Sequence, residues 1–302
     1  MSAEPVALRS ILAPKYWPTW LGLGLLRLAI LLPFRVQTKL GQLIGRLLLR
    51  PARKRADIAR ANIRHCFPQL NAAEQQALLV RHFESLGIAL FETALCWWGS
   101  RSKLDRLVRG SRGLEHIAAA QQQGKGVILL SAHFTTLEIG ARLLANQCRF
   151  APVYRRMNSP MQEYFTQKGR SKGAEGVAIP HTNMKAIIRH LTKGGTIWFA
   201  SDQQHQGGNS AVVDFFDQPA HSSTGTSTIA KLGKAVVIPF FTRRVEGGYE
   251  IELLPQLDGY PSGDAVADTA RYHRLIEQQV EQAPEQYLWV HRRFKDAPGA
   301  PY

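Results

Sequence analysis

A histidine that closes an apolar run is the residue of this sequence best placed to do chemistry. Residues 126–132 read GVILLSA, the texture of a buried strand, and His133 follows at once, with a helical pattern beginning through Thr135. An imidazole there sits at the top of a sheet, facing a pocket, where it can take a proton from an alcohol. Glu138 comes five residues later. On one continuous helix that spacing sets two side chains about 140° apart. They meet only if His133 precedes the helix and Glu138 lies in its first turn, and the carboxylate can then hold the imidazole's tautomer and stabilise its charged form. Both residues also have plain structural readings. Thr135-Thr136-Leu137-Glu138 spells a capping box in which Glu138 accepts from the Thr135 backbone N–H, and His133 also fits as a hydrogen-bonded histidine at a strand end.

Arg155, Arg156 and Asn158 follow a second short apolar run, 150–154, and a basic cluster at that place suits an anionic acceptor; a solvated surface is the alternative. Ser223-Thr224-Gly225-Thr226 opens a helical stretch whose amides can face an anion or simply be capped. His291, Arg292 and Arg293 take no chemical role from their spacing, and His181 and His205 fall in loops without a partner at ligand spacing. The three cysteines, Cys66, Cys96 and Cys148, are far apart and form no Cys-x-x-Cys pair, which argues against a disulfide framework or a zinc knuckle and for a reducing cytoplasm. There is no nucleotide-binding loop, no Gly-x-Ser-x-Gly elbow and no zinc set, so neither a metal nor a cofactor is expected.

The elements that must hold these residues alternate. Short apolar runs at 126–132, 150–154, 176–179, 196–200, 235–241 and 249–254 read as buried strands, with helical patterns at about 135–147, 160–170, 183–193, 223–233 and 265–282. The expected fold is α/β, a mostly parallel central sheet flanked by helices, with ligands bound beyond the carboxyl ends of its strands. Residues 51–107 form an all-helical lead-in within a single α/β domain, 51–302.

Residues 1–50 differ. The chain carries a formal net charge of +15, and residues 1–65 hold twelve Lys or Arg against Glu4 and Asp57. These charges flank an apolar run, residues 17–34, with tryptophans at one end, an arrangement that favours a membrane over nucleic acid. Eighteen residues at helical rise reach about 27 Å, barely the thickness of a hydrocarbon core. Val36, Leu40, Leu43, Ile44, Leu47 and Leu48 then share one helical face opposite Lys39, Gln42, Arg46 and Arg50, as in a helix that lies along an anionic leaflet; an ordinary amphipathic helix packed on the core is the alternative. Residues 1–50 therefore read as a membrane anchor, spanning or interfacial, and the positive-inside bias puts the rest of the chain on the cytoplasmic side.

The His-x4-Glu string on a strand-to-helix turn resembles the motif of the glycerolipid acyltransferase superfamily. The wider pattern resembles the lipid A biosynthesis acyltransferases: RKRADIARANIRHCFPQL (53–70), LLSAHFTTLEIG (129–140), PVYRRMNSP (152–160), KGRSKGAEGVAIP (168–180), WFASDQQHQGGNSAVVDFFDQPAHSSTGT (198–226) and YLWVHRRFK (287–295) follow in order after the N-terminal anchor. That resemblance implies His133 as general base with Glu138 as its partner. It also implies an arginine at Arg170, to hold a phosphate, and an aspartate at Asp202, to orient His133 or a sugar hydroxyl. Relatives with a second acid two residues after that aspartate differ from this chain, which has Gln204 and so lacks the acidic pair a metal would use. The implied reaction moves a fatty acyl chain from acyl carrier protein to the 3-hydroxyl of an acyl chain on a lipid A precursor, at the inner membrane of a Gram-negative bacterium. Two readings stand beside it: another membrane glycerolipid-type acyltransferase, and a non-catalytic basic membrane tether.

Overall fold

The computed structural model describes residues 8–155, 159–161, 163–165 and 178–302. Arg156, Asn158 and Arg170 lie outside the described residues. Among them runs a seven-stranded sheet made of β1 (Val108–Arg112), β2 (Gly126–Ser131), β3 (Ala151–Tyr154), β4 (Ile179–Pro180), β5 (Thr196–Ala200), β8 (Ala235–Val245) and β9 (Gly248–Leu253), in the order β1-β9-β8-β2-β5-β3-β4. Strands β2, β3, β4, β5 and β8 run parallel, and the β8–β9 hairpin is antiparallel. A separate hairpin, β6 (Ser210–Phe215) and β7 (Gln218–Ser223), follows β5.

Strand β2 is buried along its whole length, and its side chains alternate between two apolar clusters, Ile128 and Leu130 on one face, Val127 and Leu129 on the other. Strand β8 alternates in the same way, Val237 and Phe241 against Ile238 and Phe240. A sheet whose two faces are both apolar must be covered on both, and helices Leu114–Gln122, Leu137–Leu144, Met184–Thr192, Gly225–Gly233 and Ala265–Gln282 flank it. The lead-in is helical as its periodicity requires, with Arg53–Cys66, Ala72–Trp98 and Arg101–Asp105. The long helix Ala72–Trp98 starts at a true capping box: Asn71 Oδ1 accepts from the Ala73 and Glu74 N–H groups, and Glu74 Oε2 accepts from Asn71 N–H at 2.8 Å.

The expected transmembrane helix is not formed. No helix among the described residues is long and apolar enough to cross a membrane. The apolar run folds instead into a 13-residue helix, Trp17–Ala29, a corner, and a second helix, Phe34–Leu48. Thirteen residues rise about 20 Å, well short of a hydrocarbon core. Proline is the breaker: Pro33 is extended, and the Gln37 amide donates to the freed carbonyls of Ile30 (3.1 Å) and Leu32 (2.7 Å), so the corner is hydrogen-bonded into place. Helix Phe34–Leu48 packs on Ala72–Trp98 through glycines. A Cβ on Gly45 would lie 2.0 Å from Phe83 O, and one on Gly87 2.0 Å from Gly41 O.

Candidate active site

Strand pairing builds the site. Strands β2 and β5 are parallel neighbours, with Ser131 level with Ala200. His133 lies two residues beyond Ser131 and Asp202 two residues beyond Ala200, so both leave the sheet's carboxyl edge side by side. His133 Nδ1 is 2.6 Å from Asp202 Oδ1, and the His133 backbone N–H donates to both carboxylate oxygens at 3.0 Å. A carboxylate can only accept here, so Nδ1 carries the proton and Nε2 the lone pair. Asp202 is buried, at 1% side-chain exposure, whereas the imidazole keeps 25%. The imidazole is thus partly open to solvent while the carboxylate that holds it is buried.

Burial alone would raise the pKa of Asp202. The His133 imidazole and its hydrogen bonds outweigh that, and with the Arg293 guanidinium they hold the carboxylate at about 2. A pKa lowered on folding contributes stability above the ordinary value near 4, lost as pH falls toward 2. The loss should amount to about 2 kcal/mol. Urea melts of the unaltered protein and Asp202→Asn between pH 5 and pH 2 should converge as the pH falls; parallel curves would rule this linkage out.

The segment after the last helix locks the turn from above. Phe134 and Tyr287 form an antiparallel bridge: Leu288 N–H donates to His133 O at 2.9 Å, and Thr135 N–H donates to Gln286 O at 2.7 Å. Tyr287 Oη donates to Asp202 Oδ2 at 3.0 Å, and Tyr272 Oη to Ser131 O. From the long helix, Ser85 Oγ meets Thr135 Oγ1 at 2.7 Å. The C-terminal block, to which spacing assigned no role, therefore frames the histidine.

The same pairing removes the capping box expected at Thr135. The Thr135 N–H goes to Gln286 O, the helix starts at Leu137, and its N-cap Thr136 makes no side-chain cap bond, its hydroxyl donating instead to Thr242 O at 2.7 Å. Glu138 is the second residue of helix Leu137–Leu144 and half-buried. Asp202, not Glu138, is the acid on Nδ1.

Arg293 is 2% exposed and lies behind the pair, donating to His221 O (2.9 Å) and Ser222 Oγ (2.7 Å) of the β6–β7 hairpin and stacking over Phe215. Three neutral histidines brace this layer, each held near pKa 4 chiefly by burial: His82 donates to Glu285 O, His273 donates to Asp214 O, and His291 accepts from Gln204 N–H. Their positions carry no local sequence signal, since what pairs them is the return of residues 284–293 across the sheet edge. Arg155 is exposed just past β3. At the Ser223–Thr226 segment, Ser223 Oγ accepts from Gly225 N–H, a local cap, and Thr226 Oγ1 donates to Ser201 Oγ beside Asp202.

A buried carboxylate on Nδ1 of a partly exposed histidine at a strand edge is the arrangement of a general base. The sequence profile of the bacterial lipid A biosynthesis acyltransferases matches residues 5–296. The chain is 36% identical to the lipid A biosynthesis lauroyltransferase of Escherichia coli strain K12 over 99% of this chain and 98% of that one. It is 35% identical to the palmitoleoyltransferase of the same strain, over 96% and 95%, and 27% identical to its myristoyltransferase, over 95% and 90%. The chain belongs to the bacterial lipid A biosynthesis acyltransferase family, and it is an enzyme of acyl transfer.

Proposed function

We propose that the enzyme transfers a fatty acyl chain from acyl carrier protein to the 3-hydroxyl of an acyl chain on a lipid A precursor, with His133 as general base. The observation that carries this reading is the His133–Asp202 pair, in a chain that matches the family along nearly its whole length. Nε2 takes the hydroxyl proton as the oxygen attacks the thioester carbonyl. The C–S bond then breaks, the imidazolium returns the proton to the carrier's sulfur, and the products are an acyloxyacyl ester and a free thiol. Asp202 keeps Nε2 as the accepting atom and balances the imidazolium charge. Glu138 lies in the first turn of the helix that follows His133.

Arg155, Arg156, Asn158 and Arg170 are the basic and polar groups proposed to hold the acceptor's phosphates. The chain's net +15 suits an acidic carrier protein, and the acceptor places the reaction at the cytoplasmic face of the inner membrane.

Enzyme given carrier protein loaded with a lauroyl, myristoyl or palmitoleoyl chain, and a lipid A precursor, should yield a product heavier by one acyl group with an equal amount of free carrier thiol. His133→Ala should lower the rate by about 10²-fold or more. Mass spectrometry of the lipid product is the measurement. An acceptor lacking the 3-hydroxyls should bind and not react. Equal acylation of that acceptor refutes the hydroxyl assignment, and thioester hydrolysis alone with every acceptor refutes the transferase reading for this chain.

A further inference from the structure

We infer that Arg244 is a positioning residue for His133: its guanidinium, set in plane by Glu92, fixes the turn that carries the histidine by holding Thr135 through Ser85. The inference rests on the reading of His133 as the base and adds to it a residue that reaches the turn only through others.

Charge in this place needs a reason beyond packing. Arg244 on β8 and Glu92 on helix Ala72–Trp98 keep 9% and 2% of their side-chain surface, and a buried ion pair contributes little more to stability than an apolar pair of the same shape. What the pair supplies is direction. Arg244 donates from Nε to Glu92 Oε1 at 2.7 Å and from Nη2 to Oε2 at 2.8 Å. Tyr249, opposite Arg244 in the β8–β9 hairpin, donates its hydroxyl to Glu92 Oε1 at 2.7 Å. A planar guanidinium gripped along one edge has its remaining nitrogen aimed as well. That nitrogen, Nη1, donates to Ser85 Oγ at 2.8 Å, and Ser85 Oγ meets Thr135 Oγ1 at 2.7 Å. Ser85 and Glu92 stand seven residues apart, about two helical turns, so one face of the long helix presents both.

Thr135 is held a second time from the same position. Arg244 N–H donates to Gln286 Oε1 at 2.8 Å and Gln286 Nε2 donates back to Arg244 O at 3.0 Å, while Gln286 O accepts the Thr135 N–H at 2.7 Å. The hydroxyl and the backbone of the residue two after His133 thus both lead to residue 244. The backbone line survives a substitution there; the side-chain line through Ser85 does not. With that line cut, the turn should relax enough to spoil the alignment of Nε2 with the hydroxyl it deprotonates, and a displacement of about 1 Å can lower a rate on the order of 10²-fold. Substrate binding should change little, since Ser85, Glu92 and Arg244 are buried side chains.

The test is a set of double-mutant cycles on the full chain, read as kcat and KM, per folded enzyme, for acyl transfer from loaded acyl carrier protein to a lipid A precursor. Arg244→Lys keeps a charge on Glu92 but not the fork, and Ser85→Ala leaves the ion pair whole. Each should lower kcat by about tenfold or more with KM within about threefold of the parent's. Combined, they should lower kcat no further than Arg244→Lys alone, as members of one line do. In a His133→Ala background both should be silent, because no base is left to place. A pair that served the fold alone would slow the His133→Ala enzyme by the same factor as the parent. That multiplicative result overturns the inference, as does a parental kcat in Ser85→Ala or a loss confined to KM. Should Arg244→Lys not fold, the cycle of Ser85→Ala with His133→Ala decides alone. A parental rate in His133→Ala itself would instead refute the base, and this inference with it.

Discussion

Replacing Asp202 by Asn is expected to cut kcat by about 10³–10⁴-fold with KM little changed. The carboxylate accepts from Nδ1–H and from the His133 backbone N–H together, and an amide can accept at only one of its two ends. Its NH₂ would face either the backbone N–H or the ring. If it faces the ring, it forces the other tautomer and puts a hydrogen on Nε2, where the base needs a lone pair. The imidazolium formed during transfer would also lose its buried counter-charge. Glu138→Gln leaves that pair intact and should cost less, about 10²-fold, with a melting temperature close to the parent's because glutamine keeps the side chain's length and one accepting oxygen. Single-turnover acyl transfer at saturating acceptor measures both. Near-parental kcat in Asp202→Asn would remove Asp202 from the mechanism, and a larger loss for Glu138→Gln would return the orienting role to Glu138.

The second large effect is on folding. Gly45→Val should destabilise the protein by about 3 kcal/mol or more, since its Cβ would sit 2.0 Å from Phe83 O and 2.6 Å from Phe83 C, backbone atoms of a helix fixed in the core. The contrast lies one helix earlier. At Gly22 an added Cβ meets nothing within 4 Å, so Gly22→Ala should stabilise by about 0.5–1 kcal/mol through helix propensity alone. Denaturant midpoints of the two variants should move in opposite directions; a Gly45→Val midpoint equal to the parent's would mean the two helices are not in backbone contact. The same contact argues that residues 34–48 cannot be cut away cleanly, because their removal would uncover the face of Ala72–Trp98 that Gly41 and Gly45 seal.

Periodicity made the central elements legible because their apolar patterns are local. Helix Ala265–Gln282 and strand β5 take the bounds read from the sequence, and β2 ends at Ser131, one residue short of the run before His133. What stayed hidden depends on pairing across the chain. β1, reading VRGSR, is nearly all exposed, and β6 and β7 lie outside the main sheet, so none has a buried-strand texture. The turn Thr135-Thr136-Leu137-Glu138 has capping-box letters, but Gln286 takes the N–H on which the box depends. Asp202 stood out in the sequence by resemblance; its place on Nδ1 follows from the register of β2 against β5, which no run of residues in either strand encodes. At the N-terminus the apolar run is nearly long enough to span, but Pro33 and the Gln37 amide turn it into a corner, a pairing that hydropathy along the run does not encode.

The bridge between Phe134 and Tyr287 also sets a timetable. His133 and Asp202 are both translated well before Gln286, Tyr287 and Leu288, which fix the turn between them. Chains fold from the N-terminal side as they are made, so a growing polypeptide holds both His133 and Asp202 long before the turn that carries the histidine is fixed. A nascent or truncated chain ending before residue 284 would carry His133 and Asp202 without the backbone bridge and the Tyr287 hydroxyl that fix the turn between them.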